Sequence, residues 1–221
     1  MHYPVNEVFV TVQGEAKYTG TPCMFIRLQG CDVGCPWCDT KHTWDAVPED
    51  EIDPSDLIAR EAKDDKHWAM MDEHQLLCLV REAKVKHVVL TGGEPCDHDL
   101  HALTRVMAQD RITVQIETSG TSEIKMYDAW VTLSPKIDMP GGLKVRQDAV
   151  DRANEIKFPV GKQTDVEKLL QFLRDYKVHP RKKVWLQPLS QNPKATQLCL
   201  ATCYKHNFNL SVQTHKYIGV A

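Results

Sequence analysis

The chain lacks the marks of export and of membrane insertion. Met1 to Asn6 carry neither a basic stretch nor an apolar run, so no signal peptide is expected. No apolar stretch approaches the roughly 18 residues that a bilayer span requires, and a cytoplasmic protein is the expectation. An excess of charge of one sign is also lacking: 27 Lys and Arg against 30 Asp and Glu leave a net charge of −3. That balance gives no electrostatic reason for a direct nucleic-acid or membrane partner, and the scattered charges read as solvated helix faces. There is no internal repeat, no low-complexity segment and no clear linker. The 221 residues, 42% of them hydrophobic, can build one sizeable core, in one large domain or two small ones.

What is there is an alternation of strand and helix patterns. Glu7 to Val12 puts Val8, Val10 and Val12 on one face, and Cys23 to Leu28 reads as a second strand running into Gln29-Gly30. Asp53-Pro54-Ser55 is a cap with proline at the first helical position, predicting a helix to about Lys63 and irregular chain from Lys63 to Met71. Leu76, Leu77, Val80 and Ala83 share one side of a helix over Glu73 to Lys84. A strand (His87 to Thr91), a helix (Leu100 to Ala108) and two strands (Ile112 to Glu117, Ala129 to Ser134) follow. Then come a short helix (Asp148 to Asn154) and a strand (Glu155 to Val160). A further helix opens on the capping box Thr164-Asp165-Val166-Glu167. A strand (Lys183 to Gln187), a helix capped by Asn192-Pro193 and running to about His206, and a last strand (Asn209 to Gln213) complete the pattern.

Such alternation implies a parallel sheet covered by helices. A complete eight-unit barrel takes about 250 residues, and this chain is shorter. The expected α/β fold is therefore an incomplete TIM-type barrel of about six parallel strands with outer helices, the cysteine loop following the first barrel strand. A doubly wound open sheet is the alternative.

Three of the eight cysteines, Cys31, Cys35 and Cys38, fall in the stretch Gly30-Cys31-Asp32-Val33-Gly34-Cys35-Pro36-Trp37-Cys38-Asp39-Thr40-Lys41. Disulfides are rare in the cytosol, so clustered cysteines there point to metal binding or catalysis. A loop turned by Gly34 and Pro36 can aim three thiolates at one point, and thiolates are the soft ligands of iron–sulfur clusters. The absent fourth cysteine leaves one iron of a four-iron cluster open, as chemistry at a metal requires. The spacing also admits a closed zinc knuckle with His42 as fourth ligand. The other five cysteines (Cys23, Cys78, Cys96, Cys199, Cys203) read as core residues; Cys199 and Cys203 stand at i, i+4, where metal binding is conceivable but burial is the simpler reading.

With Trp37 just before its last cysteine, this motif resembles the radical S-adenosylmethionine superfamily. The strand ending in Thr91-Gly92-Gly93-Glu94-Pro95 fits the same resemblance, as that superfamily's Gly-Gly-Glu turn. A narrower resemblance, covering the chain from Asn6 onward, is to the 7-carboxy-7-deazaguanine synthase (QueE) family. It is carried by Glu7…Val12-Gln13-Gly14-Glu15, Phe25-Ile26-Arg27-Leu28-Gln29-Gly30-Cys31 and Cys38-Asp39-Thr40-Lys41. Ile116-Glu117-Thr118-Ser119-Gly120, Ser134-Pro135-Lys136, Gln187-Pro188 and Gln213-Thr214-His215-Lys216 extend it. Asp45 to Met71 contributes no motif.

The resemblance implies one radical S-adenosylmethionine domain over residues 1–221. Its activity would be that of a lyase converting 6-carboxy-5,6,7,8-tetrahydropterin to 7-carboxy-7-deazaguanine, with loss of ammonia, on the route to queuosine in tRNA. It implies a 4Fe-4S cluster on Cys31, Cys35 and Cys38, S-adenosyl-L-methionine on the open iron, and a deoxyadenosyl radical that takes hydrogen from C6 of the pterin. The cofactor would lie against Trp37, Cys38, Asp39, Gly93, Glu94, Ser134, Pro135, Lys136 and Gln187, Glu94 favouring its ammonium. The substrate would meet Val12, Gln13, Gly14, Glu15, Arg27, Thr91, His215 and Ala221. Arg27 would offer a planar fork to its carboxylate. Mg2+ would bridge Thr40 and that carboxylate, since magnesium often takes few protein ligands plus substrate oxygens. A one-electron donor such as a flavodoxin and a homodimer complete the expectation. Competing readings are a glycyl-radical-enzyme activase, against which the loop Val12 to Glu15 and the ending Gln213 to Lys216 argue, and a non-catalytic zinc-stabilised binding module.

Overall fold

Alternation along the strands sorts apolar from polar side chains onto two faces, and the architecture follows from that sorting. The computed structural model describes residues 1–60 and 65–220. Strands β1 (His2–Val12) and β2 (Pro22–Leu28) pair antiparallel, with Phe9 stacked on Phe25 at 5.2 Å between ring centroids. The register shifts between Val5 and Glu7, and Asn6, at that bulge, is 2% exposed, its amide donating to the carbonyls of Asp65 and His67. From β2 onward every neighbour is parallel: β4 (His87–Gly92), β5 (Thr113–Thr118), β6 (Trp130–Leu133), β7 (Glu155–Val160), β8 (Lys183–Pro188) and β9 (Asn209–Leu210). With β3 (Ala69–Asp72) on the far side of β1, the sheet order is β3-β1-β2-β4-β5-β6-β7-β8-β9, open at both edges. The incomplete-barrel expectation holds, with seven parallel strands among the described residues in place of about six, the seventh being only two residues long.

The outer face carries the core. Met24, Ile26 and Leu28 of β2, Val88 and Leu90 of β4, and Val114 and Ile116 of β5 pack on helices α2 (Glu73–Ala83) and α3 (His101–Gln109). Val131, Leu133, Ile156, Phe158, Val184 and Leu186 pack on α4 (Gln147–Arg152), α5 (Gln163–Asp175) and α6 (Pro193–His206). Burying each such side chain stabilises the fold by about 1.5–3 kcal/mol before entropy is counted. The alternate residues on the same strands, among them Arg27, Gln115, Glu117, Thr132, Glu155, Lys157 and Gln187, belong to the inner face. Among the described residues, no helix is long and apolar enough to cross a membrane.

Helix ends follow their caps. Asp72 and Gln75 exchange side-chain and backbone bonds at the start of α2, and Asn192 with Pro193 opens α6 as the sequence reads. Four expectations need correction. The helix opened by Asp53, α1 (Pro54–Ala59), stops at Arg60, which is extended and salt-bridged to Asp65; Glu61 to Lys63 lie outside the described residues. Ala69–Asp72, expected to be irregular, is the edge strand β3, too short to show a period, with Ala69 and Met71 buried and Met70 outward. Helix α5 starts before Thr164, because the Asp165 carboxylate accepts from the N–H groups of Gly161 and Lys162. The expected final strand is cut to Asn209–Leu210 and followed by a short helix, α7 (Thr214–Ile218).

Candidate active site

The chain leaving the carboxyl ends of the parallel strands converges on one cavity of about 450 Å³, within the range of small-molecule sites. Cys31, Cys35 and Cys38 line it from the loop after β2, and they are its only cysteines among the described residues. All three are free thiols. The loop is anchored through backbone: Gly30 N–H donates to Thr43 O (2.8 Å), Cys31 N–H to Trp44 O (2.9 Å), and Cys38 N–H to Cys35 O (3.0 Å). Burial pushes the Cys31 thiol up to about 11 and raises that of Cys35, with neighbouring acidic groups adding for Cys31. A bound metal would take the place of those protons. His42, the fourth ligand that a zinc knuckle needs, does not line the cavity, and its carbonyl accepts from Gln29. Among the described residues, no three or more His, Cys, Asp or Glu side chains are drawn together as a single-ion site would be.

The turn after β4 is pinned to the cysteine loop. Gly93 N–H donates to Leu28 O (3.0 Å) and Glu94 N–H to Gly30 O (2.8 Å), extending the β2–β4 ladder. A Cβ on Gly93 would stand 2.0 Å from Gly30 O, so only glycine permits the contact. Glu94 is 2% exposed and borders the cavity. Its carboxylate already accepts four hydrogen bonds, from Cys96 N–H (3.0 Å), the Thr118 hydroxyl (2.6 Å), Ser119 N–H (2.8 Å) and the Ser119 hydroxyl. Thr40, 8% exposed, lines the cavity with its hydroxyl 3.6 Å from Cys38 Sγ, and Lys136 Nζ donates to Ser134 Oγ (2.7 Å).

A buried polar network forms the other wall. The Lys157 ammonium donates to Glu15 Oε2 and to Glu117 Oε2 (2.7 Å). Glu15 Oε1 also accepts from Gln213 (2.8 Å) and Gln187 (3.2 Å), and Glu117 Oε1 from Gln115 (3.0 Å). Gln13 donates to Gln115 Oε1 (3.0 Å). Burial alone would raise the Glu15 pKa, but Lys157 and the amide donors outweigh it and hold the carboxyl down at about 2. For Glu117 burial prevails over Lys157 and the pKa is raised. Burial would lower Lys157, yet the two carboxylates raise it and keep it an ammonium. Arg27, 16% exposed at its side chain, borders the cavity with Nε paired to Glu7 Oε1 at 2.5 Å.

The segment after β9 closes this wall. Thr214 N–H donates to Gly14 O (3.0 Å), and His215 packs on Gly14 so closely that a Cβ there would lie 2.0 Å from His215 Nδ1. Of the residues expected from sequence, Val12, Gln13, Glu15, Arg27, Trp37, Asp39, Thr40, Thr91, Gly93, Glu94, Ser134, Lys136, Gln187 and His215 line the cavity with the three cysteines. Gly14 and Pro135 do not; Gly14 supports His215, and Pro135 is buried between two residues that face the cavity. Ala221 lies outside the described residues. Glu117 and Lys157 had no role assigned from sequence; the available signal was the alternation of Gln115 and Glu117 with Val114 and Ile116, and of Glu155 and Lys157 with Ile156 and Phe158.

Three soft thiols on one anchored loop, with a glycine turn held against it, fit an iron–sulfur cluster and a ligand beside it. The comparisons with known proteins agree. The model of the radical SAM superfamily matches residues 25–186. The chain is 47% identical to 7-carboxy-7-deazaguanine synthase of Escherichia coli strain K12, over all of both chains. It is 33% identical to that of Synechocystis sp. (strain PCC 6803), over 99% of this chain and 93% of the relative. The crystal structure of QueE from Escherichia coli superposes with a TM-score of 0.92 at 45% identity, covering 96% of this chain and 94% of that one. The chain belongs to the radical SAM superfamily and, within it, to the 7-carboxy-7-deazaguanine synthases.

Proposed function

We propose that this protein converts 6-carboxy-5,6,7,8-tetrahydropterin to 7-carboxy-7-deazaguanine with release of ammonia, a conversion that is redox-neutral overall. The observation that carries the reading is that the three-cysteine loop borders the same cavity as Arg27 and the Glu15–Lys157–Glu117 network. A 4Fe-4S cluster on Cys31, Cys35 and Cys38, with S-adenosylmethionine, supplies a radical able to take a hydrogen atom from carbon. The chain's own residues bind and orient. Trp37 to Asp39, Gly93, Ser134, Lys136 and Gln187 border the cofactor; Glu94 holds Gly93 in place. Arg27 pairs with the substrate carboxylate, for which its fork geometry is suited. Val12, Gln13 and Thr91 lie along the pterin edge, and His215 on its segment helps exclude water from the reacting carbon. A one-electron carrier such as a flavodoxin feeds the site, and the working form is a cytoplasmic homodimer.

We assign Mg2+ to Thr40, whose hydroxyl borders the cavity beside Cys38. Thr40→Ala weakens the response of turnover to added magnesium while the iron content after reconstitution stays at the wild-type level. Equal magnesium dependence in the two proteins removes Thr40 from the metal site.

The deciding assay is anaerobic: reconstituted enzyme, reductant, S-adenosylmethionine and 6-carboxytetrahydropterin. A purine-like product and ammonia are expected, with 5′-deoxyadenosine only from turnovers that abort before the hydrogen atom is returned. Cofactor cleavage with the pterin untouched overturns the substrate, and leaves superfamily membership standing.

A further inference from the structure

Two carboxylates share one buried lysine at the edge of the cavity. Lys157 leaves the inner face of β7; Glu15 comes from the β1–β2 connection and Glu117 from β5, and their side chains are 9%, 15% and 12% exposed. The three formal charges sum to −1. All three residues line the cavity. The amides of Gln213, Gln187 and Gln115 fix both carboxylates from the side away from the lysine.

Without the ammonium, two like charges would face each other in a desolvated site, and at least one would take up a proton. A protonated carboxyl donates where a carboxylate accepts, so the wall would lose acceptor capacity toward a ligand. With the ammonium in place, both oxygens of Glu15 and both of Glu117 accept hydrogen bonds, the pattern of two carboxylates against one ammonium, and one negative charge remains uncompensated. That charge suits a flat heterocycle presenting adjacent N–H donors.

We propose that Lys157 is a positioning residue for substrate recognition: it holds Glu15 and Glu117 as a paired acceptor with one net negative charge, which reads the N–H donor edge of a 2-amino-pyrimidinone ring. This rests on the pterin reading above and deepens it. Three other ionisable groups bear on the trio. Glu155, on the same strand, is engaged by the hydroxyl of Thr132 and the indole N–H of Trp185; Lys136 approaches from the end of β6; His215 comes from the segment after β9. None of them replaces Lys157, which touches both carboxylates.

The test uses the reconstituted holoenzyme and fluorescent 6-carboxypterin as the binding probe, from pH 6 to 9. Lys157→Met weakens binding at neutral pH by roughly 10- to 100-fold, the range for a lost charge-assisted pair. The loss shrinks as pH rises, because the carboxylates of the variant must ionise unaided. Cluster absorbance and iron content stay at wild-type levels. The double variant Lys157→Met, Glu117→Gln, which fixes a neutral amide in place of one acceptor, binds as weakly as Lys157→Met at neutral pH and does not recover as pH rises. Wild-type affinity in Lys157→Met, or a loss equal at every pH, overturns the proposal. Should Lys157→Met alone not fold, the double variant decides: a pH-independent loss of that size supports the paired acceptor, and affinity within a few-fold of wild type refutes it. A wild-type enzyme that ignores 6-carboxypterin refutes the substrate class instead, which keeps the two failures apart.

Discussion

Replacing Cys35 by serine leaves a folded protein that holds no intact cluster and cleaves no S-adenosylmethionine. Serine matches the shape of cysteine but offers a hard oxygen where iron–sulfur ligation needs a soft thiolate. The fold survives because the loop's anchors are backbone bonds, from Gly30 to Thr43, Cys31 to Trp44 and Gly141 to Val33, none of which uses the Cys35 side chain. Cys35 is 7% exposed, so serine buries one hydroxyl, a modest stability loss of about 1–3 kcal/mol. Activity falls far more, at least about a thousand-fold, because ligands of one cluster act as a unit and the loss of one removes nearly the whole effect. The checks are iron and sulfide analysis after anaerobic reconstitution, with circular dichroism to show the fold. A variant with full iron and sulfide, still cleaving the cofactor, removes Cys35 from the ligand set.

The parts of this site that are contiguous in the chain were legible in the sequence. The three cysteines lie within eight residues, and the Gly-Gly-Glu turn follows a strand marked by its apolar run. Long elements were legible for the same reason: a period of 2 or 3.6 needs several turns or pleats to declare itself, and α2, α6 and β7 supply them. Strand β3 does not, since four residues on a sheet edge hold only two inward positions. Nor could motif membership say which residues face the cavity. Ser134 and Lys136 face it while Pro135 between them does not. The Glu15–Lys157–Glu117 network was the least legible part. Lys157 lies 142 residues from Glu15 and 40 from Glu117 in sequence, and only the assembly of the sheet brings them into contact.

Glu94→Ala lowers the melting temperature by about 6–12 °C and weakens cofactor binding without emptying the cluster site. The reason lies in what the carboxylate does in the fold. It sits at the end of β4 and takes four hydrogen bonds, three of them from Thr118 and Ser119 at the end of β5. Alanine leaves those donors buried without an acceptor, and the two backbone N–H groups cannot turn away to find another. Loss of a buried, charge-assisted set of this kind costs about 3 kcal/mol or more. At about 2–4 °C per kcal/mol for a domain of this size, the stated shift in melting temperature follows. The functional loss follows from the backbone: Glu94 N–H and Gly93 N–H hold the turn against Gly30 and Leu28, and the carboxylate ties the far side of that turn to β5. Without the tie, Gly93 shifts relative to the cysteine loop, and the cofactor loses the wall it rests on while the three thiols keep their own anchors. Glu94→Gln separates the two roles of charge and shape. Its carbonyl still accepts from one pair of donors, but its amide opposes the N–H of Ser119 or of Cys96, so it falls between wild type and alanine in both stability and binding. Scanning calorimetry, iron analysis and equilibrium dialysis of S-adenosylmethionine on the three proteins measure this. A Glu94→Ala enzyme as stable as wild type would show that the four bonds do not carry the turn, and unchanged cofactor affinity would show that the turn does not form the cofactor's wall.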